Sequence, residues 1–358
     1  MRRALSALLL LFFASLTPGA RASRPLLDGS VGGAFDVYFI DVEGGQATLM
    51  VSPSGQSLLV DTGWPGFNGR DANRIAATAK AAGLKRIDYL VITNYHLDHV
   101  GGAPELARRI PIVHFVDHGP SVETDKSGSE LFTAYRKARR RGRHIVAKPG
   151  DRIPVRGLDV EVLTAASKEI RAPLEGAGAG NPDCAEAKLR ESDPSENAHS
   201  VGILVRFGSF RLIDLGDLTW NKEYELVCPR NMVGKVDVYV VSHHGMNLSG
   251  SPALVHGLAP RVAIMDNGAH KGGSPEAWQT IHSSPGLEDI WQVHYAIDAG
   301  KPNNAPDEFI ANLEENCKGY GLKLSAKSDG SFTVTNARNG YSKTYSPVAR
   351  AAGADRGF

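Results

Sequence analysis

An apolar run, Tyr89-Leu90-Val91-Ile92, leads without a break into Thr93-Asn94-Tyr95-His96-Leu97-Asp98-His99-Val100-Gly101-Gly102. Two imidazoles and a carboxylate within four residues, at the end of a buried strand, are costly unless they find partners. A divalent cation supplies such partners, because imidazole nitrogen and carboxylate oxygen are the usual non-thiol ligands of Zn²⁺. Gly101 and Gly102 let the chain turn tightly beside the ligands and enter a following helix. The same arrangement recurs three times. Ser57–Val60 runs into Asp61-Thr62-Gly63, Phe210–Leu215 into Gly216-Asp217, and Val236–Ser242 into His243-His244-Gly245. Each places a metal-competent side chain just past an apolar strand and beside glycine, which predicts strand ends converging on one site.

The rest of the 358 residues fits a globular α/β protein. The chain is 42% hydrophobic and 22% charged with a formal charge of +1, which gives no support to a disordered chain or a DNA-coating protein. Arg2 and Arg3, the apolar stretch 4–16 and Ala20-Arg21-Ala22 have the order of a secretory signal peptide, expected over 1–22 with cleavage after Ala22. No later apolar stretch reaches 18 residues, so no stable membrane insertion is expected after cleavage. Of three cysteines, Cys184 and Cys228 both sit in loops and are the favoured pair, leaving Cys317 as a thiol.

Strand patterns begin at Phe35 and helical ones at Arg70–Ala82, Pro104–Arg109, Glu130–Arg141, 274–282 and Asp307–Lys318. Strands outnumber helices, and the helices fall between strand pairs, which suggests two sheets covered by helices. The stretch 173–197 reads as a long surface loop. Residues 301–346, with hairpin turns at Asp329-Gly330 and Asn339-Gly340, read as a small C-terminal α+β appendage, and 347–358 as a flexible tail.

Taken together, six segments resemble the metallo-β-lactamase superfamily, and within it the lactamase-like domain of the ComEC/Rec2-type competence proteins that import DNA. They are Phe39–Gln46, Val60–Gly63, Asn94–Gly102, Asn197–Ser200, Leu215–Asp217 and His243–Gly245. The resemblance implies a four-layer αββα sandwich over 35–300 with a two-metal cleft. It makes His96 a ligand of the first metal, Asp98 and His99 ligands of the second, and Asp217 the bridging carboxylate. His243 matches the last second-metal ligand, with His244 the alternative, and Asp61 is expected to orient the ligand loop. The family's run opens with histidine where this chain has Asn94, a weaker and harder ligand if it binds at all. His199 is placed to compensate. Two divalent ions are implied, Zn²⁺ first, with Mn²⁺ or Mg²⁺ favoured if the first site is weakened.

The resemblance implies a hydrolase in which Asp98 and Asp217 hold a metal-bound hydroxide in line for attack, and the leader implies that it is secreted or periplasmic. Phosphodiester or nucleic-acid substrates are expected, and a small molecule is the other substrate class. A lactamase- or lactonase-type hydrolase, or a non-catalytic binding protein on the same fold, are the alternatives. The basic run containing Arg139, Arg140 and Arg141, and His270 with Lys271, are weaker candidates for substrate contact. His114, His118, His256, His282 and His294 lack motif context and are read as structural.

Overall fold

A computed structural model describes residues 33–348. The leader expected at 1–22 and all but two residues of the tail expected at 347–358 lie outside the described residues. The chain lays down β1 (Phe35–Phe39), β2 (Thr48–Val51), β3 (Ser57–Val60), β4 (Ile87–Val91), β5 (Ile112–Asp117) and β6 (Arg143–Val146) as neighbours in one sheet. It then builds a second sheet from β7 (Arg152–Ile153), β8 (Asp159–Ala165), β9 (Lys168–Glu169), β10 (Gly202–Phe207), β11 (Phe210–Asp214), β12 (Val238–Val240), β13 (Val262–Met265), β14 (Asp289–His294) and β15 (Ile310–Asn312). The last strands, β16 (Leu322–Ala326), β17 (Phe332–Asn336) and β18 (Ser342–Tyr345), return to the first sheet.

Period-two alternation decides which face each side chain occupies. In the first sheet Phe35, Val37, Phe39, Met50, Leu58, Val60, Tyr89 and Val91 join the core shared with the second sheet. The residues between them, Leu49, Leu59, Leu90 and Phe115, pack against a separate core with Ile75, Leu106 and Tyr135. These last three come from α1 (Arg70–Ala81), α3 (Ala103–Leu106) and α4 (Lys126–Arg139), with the short α2 (Leu97–Val100) between them in the chain. Leu226, Leu254 and Trp278, from α5 (Trp220–Val227), α6 (Pro252–Leu258) and α7 (Pro275–His282), belong to the core of the second sheet. The Phe35 and Phe210 rings meet edge-on at 6.0 Å between the sheets. The arrangement is a mixed α/β sandwich of two large sheets with helices against them.

Local signals account for the helix ends. Ser274 Oγ accepts from Ala277 N at the start of α7, with Pro275 in the first turn. The basic helix begins earlier than its apolar pattern indicates, because Asp125 Oδ1 accepts from Gly128 N at 2.8 Å. Cys184 and Cys228 form the disulfide, and Cys317 is a free thiol.

Two expectations are corrected. Residues 301–346 are not an appendage. β15 pairs with β14 in the second sheet, and β16 pairs with β1 along its whole length, from Phe35↔Ala326 to Phe39↔Leu322. The helix expected over Asp307–Lys318 is a single 3₁₀ turn, Asp307–Phe309, followed by β15. Burial of Phe309, Ile310 and Ala311 against β14 overrides the local helical tendency. A chain ending at residue 300 is therefore expected to lose its cooperative thermal transition, since β1 keeps β2 but loses β16, β14 loses β15, and Trp291 loses Tyr345. Calorimetry of the shortened chain checks this, and an unchanged melting temperature would mean that the segment is separable after all.

Candidate metal centre

The site follows from parallel pairing. β3–β4 run parallel in the first sheet and β11–β12–β13 in the second, so the loops leaving each set emerge on one edge. Asp61 follows β3, Asn94–His99 follow β4, Asp217 follows β11, His243-His244 follow β12 and Asp266 follows β13. Close approach is built in: a Cβ on Gly102 would fall 2.1 Å from the Thr62 carbonyl oxygen. Asp61, His243 and His244 all hold left-handed backbone conformations, with φ of 59°, 55° and 56°. For such residues that conformation costs about 1 kcal/mol or more each, and it persists where the surrounding structure demands it.

Four side chains meet there. Asp98, His99, Asp217 and His244 each bring a ligand atom within 4.8 Å of the others, and all four are buried. His99 Nε2 lies 3.0 Å from Asp217 Oδ2 and 3.5 Å from Asp98 Oδ2. His244 Nε2 lies 3.2 Å from Asp98 Oδ2, 3.6 Å from Asp217 Oδ1 and 3.3 Å from His99 Nε2. Ligands at ordinary zinc distances on a tetrahedron stand roughly 3.3–3.8 Å apart, so this quartet has nearly the right edges. The buried Asp217 Oδ1 has no hydrogen-bond partner, an orphan that calls for explanation. The donor set and the orphan oxygen both fit a divalent cation.

The surroundings prepare the ligands. Asp61 Oδ2 accepts from His99 Nδ1 at 2.7 Å and from Thr93 Oγ1 at 2.6 Å, which leaves the Nε2 lone pair of His99 facing the quartet. His244 Nδ1 points towards Asp266 Oδ1 at 3.4 Å. Burial alone would push the His99 pKa down, but the carboxylates of Asp217, Asp98 and Asp61 outweigh it and hold it well above the usual range. Burial pushes in the opposite sense on Asp98 and Asp217, and the neighbouring histidines hold both carboxyls well below theirs. Two buried carboxylates thus demand positive charge, which protons or a cation can supply.

The remaining sequence candidates take other places. His243 Nε2 sits 3.3 Å from Asp217 Oδ2, and its Nδ1 is 3.3 Å from Ser249 Oγ, so His244 completes the quartet and His243 flanks it. Asn94 is fully buried and spends its amide on its own loop: Oδ1 accepts from His96 N at 2.9 Å. His96 is part-exposed, with Nε2 3.5 Å from Glu123 Oε1, and His199 Nδ1 donates to the Ser195 carbonyl at 3.0 Å. Neither joins the quartet. Lys271 does reach the site: its ammonium contacts Asp98 Oδ2 and the Gly44 carbonyl and lies 4.9 Å from the Trp64 ring centre. His270 points away, paired with Asp298. Arg139 is drawn inward to Asp117 at 2.7 Å and Arg141 donates to the Ala107 carbonyl, while Arg140 is exposed. Two of these three arginines are therefore already engaged within the fold.

Residues 40–189 match the family described as the Metallo-beta-lactamase superfamily. Over that stretch the chain is similar to the metallo-β-lactamase superfamily. Asp98 and His99 lie inside the matched stretch, and Asp217 and His244 lie beyond it. The chain is 27% identical over 236 residues to Recombination protein 2 of Haemophilus influenzae, covering 65% of this chain and 24% of that protein. It is 27% identical over 189 residues to ComE operon protein 3 of Bacillus subtilis, covering 52% and 21%. It thus spans about a quarter or less of these curated relatives. Among solved structures it is similar to the metallo-beta-lactamase fold protein YhfI of Bacillus subtilis, at 12% identity and a TM-score of 0.45, covering 72% of this chain and 95% of that one. Tm1679, described as a metal-dependent hydrolase of the beta-lactamase superfamily, is 13% identical with a TM-score of 0.41, covering 73% and 96%.

Four further residues shape the site's surroundings. Asp266 follows β13 as the other acids follow their strands. Gln46 Nε2 donates to Asp214 Oδ2 at 2.6 Å and ties the β1–β2 turn to the second sheet. Glu196 is fully buried, where it accepts from Val122 N, Ser121 Oγ, Tyr95 N and His118 Nε2. Burial alone would raise its pKa, but His118 and the N–H and O–H donors bring it down to about 2 from an ordinary 4.5. A depressed carboxyl contributes its stability in full above 4.5 and loses it as pH falls towards 2. Glu196→Gln is expected to cost about 2–3 kcal/mol at neutral pH by chemical denaturation. The gap to the parent should close as pH drops below the usual glutamate range, whereas a difference that stays constant with pH would contradict this account.

Proposed function

We propose that this protein is a metal-dependent hydrolase whose cation is held by Asp98, His99, Asp217 and His244. One observation carries the reading: two buried imidazole nitrogens face each other at 3.3 Å between two buried carboxylates. Hydrogen bonding alone satisfies that geometry poorly, and a divalent ion satisfies it fully. When bound, such an ion lowers the pKa of a water molecule to near neutrality and polarises a carbonyl or phosphoryl oxygen.

The chain's own residues do the rest. Asp61 fixes the ring orientation of His99. Asp217, between His99 and His243, is the carboxylate we assign to a second ion, with His243 beside it, and we take His96 and His199 as its further ligands on the family resemblance alone. Lys271, beside Asp98 and against Trp64, sets a positive charge at the rim where an anionic group or a developing oxyanion gains most. We take the substrate class to be phosphodiesters, including nucleic acids, because the relatives are a recombination protein and a competence-operon protein. We further take the protein to be exported to the periplasm or beyond. The leader pattern supports this, and so does the Cys184–Cys228 disulfide, which persists in oxidising compartments. Among the described residues no helix is long and apolar enough to cross a membrane.

The test pairs metal analysis with a substrate panel. The purified protein is expected to retain Zn²⁺ or Mn²⁺ through gel filtration and to hydrolyse bis-p-nitrophenyl phosphate faster than β-lactams or lactones. Asp98→Ala and Asp217→Ala should each lower that rate by at least about a hundredfold and release metal. Full activity in both variants would overturn the metal assignment, and preferential turnover of a β-lactam or lactone would overturn the substrate class.

A further inference from the structure

A second quartet of ligand-type side chains lies apart from the first. Asp41 and Glu43 come from the β1–β2 turn, His294 from the end of β14, and Cys317 from the loop between β15 and β16. Their ligand atoms also lie within 4.8 Å of one another. Cys317 Sγ is 3.2 Å from Asp41 Oδ2, 3.4 Å from Glu43 Oε1 and 4.0 Å from His294 Nε2. His294 Nε2 is 2.8 Å from Asp41 Oδ1 and 3.6 Å from Glu43 Oε2. A zinc tetrahedron with one sulfur has edges of roughly 3.3–3.8 Å. Cys317 meets one oxygen of each carboxylate and His294 the other, so a shared cation requires each carboxylate to turn one oxygen towards both.

Hydrogen bonds account for the cluster only in part. A thiol carries one hydrogen, yet Cys317 Sγ approaches two carboxylate oxygens. His294 is completely buried and its Nδ1 has no hydrogen-bond partner, so the ring is anchored only through Nε2, the nitrogen aimed into the quartet. Arg74 bounds the cluster on one side, with Nη1 2.9 Å from Asp41 Oδ2 and 3.1 Å from Glu43 Oε1, and Arg70 lies 3.8 Å from Glu43. The arginines touch Asp41 Oδ2 and Glu43 Oε1, and the other oxygen of each carboxylate is the one nearer His294.

We propose that Asp41, Glu43, His294 and Cys317 form a second, structural site for a thiophilic divalent cation of the Zn²⁺ class. The site ties the β1–β2 turn of the first sheet to β14 of the second and to the loop before β16. Binding replaces the Cys317 S–H bond with a sulfur–metal bond and releases that proton to solvent. In the free thiol, burial together with Asp41 and Glu43 pushes the pKa up to about 12, so without a cation the sulfur stays protonated. The site is also linked mechanically to the first one. Past Glu43 the same turn brings Gly45 against the Asp98 carbonyl and Gln46 N onto it at 3.1 Å.

Cobalt(II) distinguishes the two sites, because the first quartet has no sulfur and Cys317 is the free thiol, Cys184 and Cys228 being bonded to each other. Metal-stripped full-length protein is titrated with Co²⁺ and followed for a sulfur-to-cobalt charge-transfer band in the near ultraviolet. The band is expected at saturation in the parent and in Asp98→Ala, and it should be lost in Cys317→Ser. No band in the parent, or an undiminished one in Cys317→Ser, overturns the proposal. A second readout needs no variant at Cys317. Zn²⁺ should slow alkylation of Cys317 by iodoacetamide at least about tenfold in both the parent and Asp98→Ala. Equal rates with and without Zn²⁺ would overturn the site even if the hydrolase reading stands, and loss of protection in Asp98→Ala alone would place the effect at the first quartet.

Discussion

Asp98 and Asp217 are buried carboxylates set among imidazoles, and the architecture of this end of the molecule follows from what they require. An isolated carboxylate taken out of water costs far more than any single contact returns. Here the compensation is positive charge from His99, His244 and Lys271, converging from separate loops. Without a cation the histidines must carry that charge as protons, and the resulting arrangement leaves Asp217 Oδ1 unpaired. A divalent ion at the same point resolves both conditions at once.

Meeting that requirement takes backbone as well as side chains. The paired His243 and His244 in left-handed conformations, and Asp61 in another, are held by loops that emerge from parallel strands on one edge. The sandwich core, with Phe35, Phe210 and Phe332 meeting edge-on between the sheets, supplies the rigidity that keeps those conformations in place. The β16–β18 meander belongs to this frame: it covers β1, and β1 leads into the turn that carries Asp41, Glu43 and Gln46 to the site.

How much of this was legible in the sequence depended on range. Asp61, the His96–His99 run, Asp217 and the His243-His244 pair could be read because each follows a short apolar strand next to glycine, a purely local signal. Choosing between His243 and His244 required the left-handed turn that swings only His244 into the quartet. Asn94 kept its place in the pattern but gave its amide to the loop, which residue type alone does not reveal. Glu196 lies in a polar stretch with no periodicity, so its role emerges only once His118, Ser121 and Val122 fold around it. The Asp307–Lys318 stretch carried helical residues, yet a parallel pairing with β14 decided its conformation, and parallel pairings join segments too far apart for local patterns to show. Likewise Cys317 and His294 looked unremarkable until the two sheets brought them to Asp41.

The central claim is that Asp98, His99, Asp217 and His244 surround a metal ion. Anomalous diffraction at the zinc absorption edge, from crystals grown with Zn²⁺, tests it most directly. The account predicts a strong anomalous peak enclosed by those four side chains, at roughly 2.0–2.2 Å from the ligand nitrogens and oxygens. Density showing the quartet closed on itself through hydrogen bonds, with no anomalous signal among the four, would contradict it.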